Sequence, residues 1–207
     1  MTSLRLAPLA ALLLLPAAGA SAQSSPVRRY LVAPTGNEAR YRVREQLVGK
    51  DLPNDAIGVT SEVTGRIVVG PDGKVLPTES RIVVALANLK SDQSRRDNFL
   101  RRRTLQTDSF PTVTLVPTAI QGLLTPIPAG TARSLQLSGD LTIHGVKRPT
   151  TWQVTARPDG SAVVGTATTA FTFKDFGLDQ PRVPIVLSVA DTIKLEYEFR
   201  FVPDTAR

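Results

Sequence analysis

The sequence predicts an all-β fold of about eight antiparallel strands with one short helix between strands. Three observations carry this. Apolar residues recur with a period of two along most of the chain, the alternating runs are separated by turn signals such as Pro71-Asp72-Gly73 and Pro158-Asp159-Gly160, and only Ser91 to about Leu105 reads as a helix.

The amino-terminal residues stand outside this pattern. Met1 to Arg5 is a basic start, Leu6 to Pro16 is rich in Leu and Ala, and Ala20-Ser21-Ala22 forms a small-x-small cleavage site before Gln23. Residues 1–22 therefore read as a secretory signal peptide, too short in its apolar run to span a bilayer, and the protein is expected to be exported to a periplasm or to the medium. Residues 23–29, rich in Ser, Pro and Arg, read as a flexible lead-in to a single domain over 30–203.

The strands follow in order. In Ala39 to Leu47, Tyr41, Val43, Glu45 and Leu47 share one face while Arg40, Arg42, Arg44 and Gln46 take the other. Ile57, Val59, Val63, Ile67 and Val69 continue the alternation up to the first Pro-Asp-Gly turn. Ser80 to Leu89, Thr112 to Val116, Ser134 to Ile143 and Thr151 to Arg157 come next, then Ala162 to Phe173 beyond the second turn. The last strand is the clearest, with Ile193, Leu195, Tyr197, Phe199 and Phe201 alternating with Lys194, Glu196, Glu198 and Arg200. The helical segment takes Ser91 or Asp92 as its N-cap and ends before Pro111. Its arginines surround Phe99 instead of opposing it, and Leu100 and Leu105 fall elsewhere, so no single apolar stripe emerges.

Strand lengths favour a closed barrel, although periodicity alone leaves a sandwich open. An eight-stranded barrel is either filled by its own side chains or holds one small ligand. Small residues expected on the inward faces (Gly139, Gly165, Ala167 and Thr169, beside Trp152, Phe171 and Phe173) favour an interior with space.

Composition excludes more chemistry than it suggests. The chain of 207 residues has no cysteine and one histidine, which removes disulfides, thiolate metal sites, cysteine nucleophiles and histidine clusters. At 42% hydrophobic residues it is too apolar for a disordered chain, and at 5% aromatic it is poor in the rings that stack nucleic-acid bases. The net charge of +7 suits anionic ligands or membrane surfaces, and for an exported protein these are more accessible than nucleic acid. His144 sits in a strand-to-turn junction with no Gly-x-Ser-x-Gly elbow in the chain, so no catalytic residue is named and no enzyme activity, metal or cofactor is expected.

Several stretches together resemble the YceI-like family of exported lipid-binding proteins. They are Leu89 to Leu100 with its Arg96-Asp97 pair, Phe110-Pro111 before a short strand, the Gly139-x-Leu141-Thr-Ile-x-Gly145-Val-x-x-Pro149 hairpin leading to Trp152, and Phe171-x-Phe173 to Asp175-Phe176-Gly177. The resemblance covers Tyr30 to Pro203. It implies a lipocalin-like eight-stranded barrel with a helix near one end and a tunnel for a polyisoprenoid or similar amphiphilic chain, of quinone or polyprenyl phosphate type. It also implies that Arg96 and Asp97 fix the helix and that Gly139 and Gly145 shape the hairpin. Two departures stand out: the opening Arg40-Tyr41-Arg42-Val43-Arg44 is unusually basic, and Leu115 replaces an aromatic residue common after Pro111.

From the alternation, Tyr41, Val43, Ile82, Val84, Leu137, Leu141, Ile143, Trp152, Phe171, Phe173, Leu195, Tyr197 and Phe199 are expected to supply inward, ligand-facing atoms. Phe99, Phe110 and Phe176 are expected at a tunnel mouth, and Arg95, Arg101, Arg102 and Arg103 are candidates to hold a phosphate head group, since guanidinium forks match phosphate oxygens in pairs. The expected partners are an isoprenoid-type lipid and, transiently, a membrane surface. Oligomeric state is open, a homodimer being one option. The competing expectations are a structural or interaction barrel with a filled core and, behind it, a secreted hydrolase using His144.

Overall fold

A computed structural model describes residues 26–123 and 130–205; the expected signal peptide and the first part of the expected lead-in lie outside the described residues. The strands are β1 (Arg28–Val32), β2 (Glu38–Leu47), β3 (Asn54–Thr60), β4 (Val63–Val69), β5 (Arg81–Ala85), β6 (Lys90–Ser91), β7 (Thr112–Gln121), β8 (Arg133–Ile143), β9 (Val146–Asp159), β10 (Ala162–Thr172) and β11 (Val186–Pro203). Helix α1 (Ser94–Phe99) runs directly into a π-helical turn, Leu100–Thr104, and a 3₁₀ turn spans Phe173–Phe176.

All pairings are antiparallel, and the neighbours β1-β4-β5-β7-β8-β9-β10-β11 close into a ring because β11 pairs back with β1. The fold is therefore a closed eight-stranded barrel. Three of its walls are broken. β11 pairs with β1 through Phe201 to Pro203 and with β2 through Val186 to Glu198, so β1 and β2 are successive halves of one long strand; β3 with β4 and β5 with β6 repeat the arrangement.

Specific hydrogen bonds account for the first two breaks. Between β1 and β2 the buried Asn37 donates from Nδ2 to the Ala33 carbonyl at 2.7 Å and accepts at Oδ1 from the Tyr197 hydroxyl at 2.8 Å and the Arg200 amide at 3.1 Å. One side chain thus satisfies backbone groups that the interrupted ladder leaves unpaired. Between β3 and β4, the Glu62 amide donates to Thr60 Oγ1 at 3.2 Å and the Val63 amide to the Ser61 carbonyl at 2.9 Å.

This second break changes the phase of the strand. Ala56, Gly58 and Thr60 face inward in β3, whereas Val63 and Ile67 do so in β4, so Ile57 and Val59 do not share the face of Val63 as a continuous strand requires. The pairing of Ile57 with Arg42 puts it on the outer surface.

Other elements run beyond their sequence signals. β7 passes through Pro117 to Gln121 because a register shift between Pro117 and Ala119 accommodates the missing amide of the proline. β1 begins at Arg28, inside the expected lead-in. The N-cap of α1 is Gln93, not Ser91 or Asp92; Ser91 instead belongs to β6.

The π-turn explains the untidy helical pattern. The Leu105 amide donates to the Leu100 carbonyl five residues back, at 2.8 Å, so these two leucines meet the same wall although no 3.6-residue period relates them.

The arginine face of β2 is matched by acids. Arg40 pairs with Glu38 and, at 2.9 Å, with Glu198; Arg42 pairs with Asp55 at 2.9 Å and Glu196 at 3.3 Å; Arg44 pairs with Asp55 at 3.1 Å. These outer ladders neutralise the strand that looks most basic in the sequence.

The connections sort to two ends. One end carries the β2–β3 hairpin loop (48–53), the helical connection 86–111, the His144-Gly145 turn and the 173–185 segment; the other carries the 70–80 loop, the β7–β8 connection and the Gly160-Ser161 turn. We refer to the first as the helical end.

Candidate functional site

The inward faces of the barrel enclose a cavity of about 270 Å³ with an almost entirely apolar lining, just below the range of roughly 300–1,000 Å³ common for small-molecule sites. All thirteen inward residues expected from alternation line it. The register explains why. Leu137 lies opposite Trp152, Thr169 opposite Leu195, and Ala167 opposite Tyr197, so each inward row continues the next across the ladder. Trp152 is buried with its indole N–H donated to Thr150 Oγ1 at 3.0 Å, leaving the ring to the cavity.

The small inward residues do not all contribute space. A Cβ on Gly165 would stand 2.7 Å from Phe199 Cζ, one on Gly58 would stand 2.2 Å from Tyr41 Cε1, and one on Gly139 would stand 2.9 Å from Leu115 Cδ1. Neighbouring side chains occupy the volume that these glycines release. Leu115, the departure from the usual aromatic, is one of them and lines the cavity itself.

Toward the helical end the wall includes Leu89, Leu100, Thr104 and Leu105, contributed by the connection between β5 and β7. Toward the opposite end it includes Gly122, Leu123, Thr131 and Arg133, of which Gly122, Thr131 and Arg133 are exposed. The wall thus extends to the exposed residues that flank the β7–β8 connection. Alternation missed all of these but Arg133 because they lie on connections and on the π-turn, where no period of two exists, and the five-residue spacing of Leu100 and Leu105 was the available signal there; Arg133 begins β8, in the inward row of Leu135 and Leu137.

Two tyrosines stand in the wall with different surroundings. Burial pushes the Tyr41 phenol up to about 12, and its hydroxyl has no hydrogen-bond partner within geometric limits among the described residues. The nearby Ser91 hydroxyl is engaged elsewhere: it donates to Asp97 Oδ1 at 2.7 Å and accepts from the Gln93 amide and Arg96 Nη1 at 3.2 Å each. Burial also raises the Tyr197 phenol, whose hydroxyl donates to Asn37.

Arg96 and Asp97 fasten the helix to the barrel. Arg96 Nη2 donates to the buried Glu45 Oε1 at 2.6 Å, and Asp97 Oδ1 accepts the Ser91 amide at 2.9 Å. Glu45, an acid on the apolar face of β2, owes its inward position to this partner.

The expected mouth is not assembled. Phe176 is fully buried, edge-to-face with Phe171 at 4.6 Å, inside a 3₁₀ turn whose Asp175 carboxylate accepts the Thr172 amide at 2.7 Å. Phe110 packs its ring, tilted, against His144 with centroids 4.3 Å apart and lies over Gly145, bracing a turn in which His144 and Gly145 have positive φ, 51° and 75°. Phe99 lines a separate hollow with Arg103, Gln106 and residues 179–182. None of the three lines the main cavity. Phe110, before Pro111, and Phe176, before Gly177, serve tight turns.

Arg95, Arg101, Arg102 and Arg103 do not line the cavity either; all four are exposed on the outer side of the helical segment. Among the described residues they make no ion pair, and no His, Cys, Asp or Glu cluster is arranged to hold a metal ion.

A closed barrel with an apolar interior, a helical segment fastened through Arg96 and Asp97, and the His144-Gly145 turn is the arrangement that the sequence marks anticipated, and the family model for the YceI-like domain matches residues 30–201. This chain belongs to the YceI-like family. Similar sequences include UPF0312 proteins from Pseudomonas putida strains W619 and GB-1, each 30% identical over 114 residues, which is 51% of this chain and 56% of the relative; the match spans just over half the length of those proteins. Among solved structures, a polyisoprenoid binding domain from Saccharophagus degradans implicated in plant cell wall breakdown superposes with a TM-score of 0.64 at 12% identity, covering 84% of this chain and 98% of that one. Burkholderia cenocepacia BcnA superposes at 0.60 with 16% identity, covering 82% and 98%. A Campylobacter jejuni YceI protein superposes at 0.55 with 16% identity, covering 72% and 85%. These likenesses establish that the YceI-like barrel is shared.

Proposed function

We propose that this YceI-like protein is an exported, non-catalytic carrier or reservoir that holds a polyisoprenoid or similar amphiphilic chain inside its barrel. The observation that carries the reading is the apolar cavity, walled by residues from across the sheet. Burial of each methylene is worth about 0.8 kcal/mol, so a long prenyl chain gains affinity without a specific polar contact. The description of the Saccharophagus degradans neighbour as a polyisoprenoid binding domain supports the same ligand class.

Arg95, Arg101, Arg102 and Arg103 do not line the interior, which supports separate places for the tail and the head group of a bound chain. The test is mass spectrometry of the purified mature protein, native and after organic extraction. A stoichiometric hydrophobic molecule that leaves on extraction is the expected result. A protein that carries nothing and also refuses added polyprenyl and quinone probes overturns the carrier reading in favour of a filled barrel. Export is tested by intact mass from an exporting host, with the mature chain expected to begin at Gln23; retention of residues 1–22 overturns it.

A further inference from the structure

The described residues carry few large apolar side chains in solvent, and four of them gather at the helical end. Val48 and Leu52, in the β2–β3 loop, are 56% and 77% exposed; Ile185 and Leu187, at the start of β11, are 57% and 66% exposed. The Val48 amide donates to the Ile185 carbonyl at 3.0 Å, which joins the two segments into one surface. Isolated exposed apolar residues need no explanation, but a group on adjoining segments marks a contact surface.

The same end carries cations without partners. Lys50, Arg95, Arg101, Arg102, Arg103 and Arg182 are exposed, and none makes an ion pair among the described residues. This contrasts with β2, whose arginines are all matched by carboxylates. The segments of this end (48–53, 86–111 and 173–185) carry nine Lys and Arg against six acids, Asp51, Asp92, Asp97, Asp108, Asp175 and Asp179, so the surface keeps an excess of positive charge.

Contacts place the two groups side by side. Glu45 accepts from Arg96 of α1 at 2.6 Å and from Asn54, at the base of the 48–53 loop, at 3.3 Å. Phe99 and Arg103 share a hollow with Asp179, Gln180, Pro181 and Arg182, which lead into Ile185.

We propose that the helical end docks on an anionic lipid bilayer, with Val48, Leu52, Ile185 and Leu187 entering the interface and the arginines of the helical segment meeting lipid phosphates. Charge complementarity selects this occupant. Guanidinium groups free of internal carboxylates are available to phosphate oxygens, and side chains flanking them supply the shallow apolar insertion that a charged surface alone lacks. Among the described residues no helix is long and apolar enough to cross a membrane. Its geometry bears on the cavity, because Leu100, Thr104 and Leu105 line the cavity from the inside of the segment whose outside carries Arg101, Arg102 and Arg103. Docking therefore sets one end of the apolar interior against the lipid.

The proposal does not depend on what fills the cavity. Its test is flotation of the mature protein with phosphatidylcholine vesicles, with and without phosphatidylglycerol, at low and high salt. Binding that requires phosphatidylglycerol and weakens as salt rises is expected. The triple variant Arg101→Gln, Arg102→Gln, Arg103→Gln is expected to lose affinity on the order of 100-fold. Leu52→Asn with Leu187→Asn weakens binding while leaving its salt dependence, and every variant keeps the parent's unfolding midpoint because all five positions are exposed. Equal binding to both vesicle types, or none to either, overturns the proposal. So does light scattering that shows the apolar surface buried between two copies of the chain, or a preference for a polyanion such as heparin that leaves vesicles unbound.

Discussion

The guanidinium of Arg96 meets the buried carboxylate of Glu45 at 2.6 Å, joining the helical segment to the inward face of β2. The contact compensates a charge that β2 would otherwise place among apolar side chains.

Removal of one partner should therefore cost more than removal of both. Arg96→Ala leaves Glu45 with only Asn54 at 3.3 Å and is expected to lose about 3 kcal/mol, as for other broken buried pairs. The double variant Arg96→Ala, Glu45→Gln should recover part of that loss. Urea unfolding measures both, and additive losses would remove the pair from the account of the helical end.

Gly165 is needed for space. A Cβ there would lie 2.0 Å from the Thr155 carbonyl oxygen and 2.7 Å from Phe199 Cζ, so Gly165→Ala should destabilise by about 1–3 kcal/mol through overpacking. At Gly160, in the β9–β10 turn with φ 61° and open space around it, alanine should cost about 1 kcal/mol or less, through backbone conformation alone. A thermal melt in which the two variants rank the other way would contradict the packing described for β10.

Ala167 offers a way to close the cavity from within. It is 7% exposed and lines the void opposite Tyr197, so Ala167→Leu places extra atoms where a chain would lie. The variant should retain its fold and take up at least about tenfold less prenyl probe, since several methylenes at about 0.8 kcal/mol each are displaced. Unchanged uptake measured by native mass spectrometry would locate the ligand elsewhere.

The outer ladders predict an acid limit to stability. Hydrogen bonds from Arg42 and Arg44 hold Asp55 below the ordinary carboxylate range, those from Lys194 and Arg42 do the same for Glu196, and Arg200 does so for Asp159. A carboxylate with a depressed folded-state pKa contributes stability above its unfolded value, and that contribution is lost as pH falls through the folded value. The urea midpoint should therefore be flat above about pH 5 with respect to these groups and fall below about pH 4. Glu196→Gln should shallow that fall, and an identical acid limb in the variant would show that the ladder does not set it.

The sequence determined the all-β class, the interior rows and the helical position, because side chains of a two-faced strand must alternate and the period survives any detail of packing. It was enough to place Tyr41, Trp152 and Phe199 on one continuous inner surface. Only the tertiary structure decided where strands break, where the helical pattern shifts and which aromatics face the cavity. Asn37 interrupts the first wall through partners at Ala33, Tyr197 and Arg200, two of them remote in sequence. The π-turn brings Leu100 and Leu105 to the same wall, and Phe176 is drawn into the core by Phe171 instead of standing at an opening. Periodicity records only which face of a local element is apolar, whereas breaks, turns of another period and ring placement are set by specific contacts, some five residues apart, as Leu100 with Leu105 and Phe171 with Phe176, and some remote, as Asn37 with Tyr197.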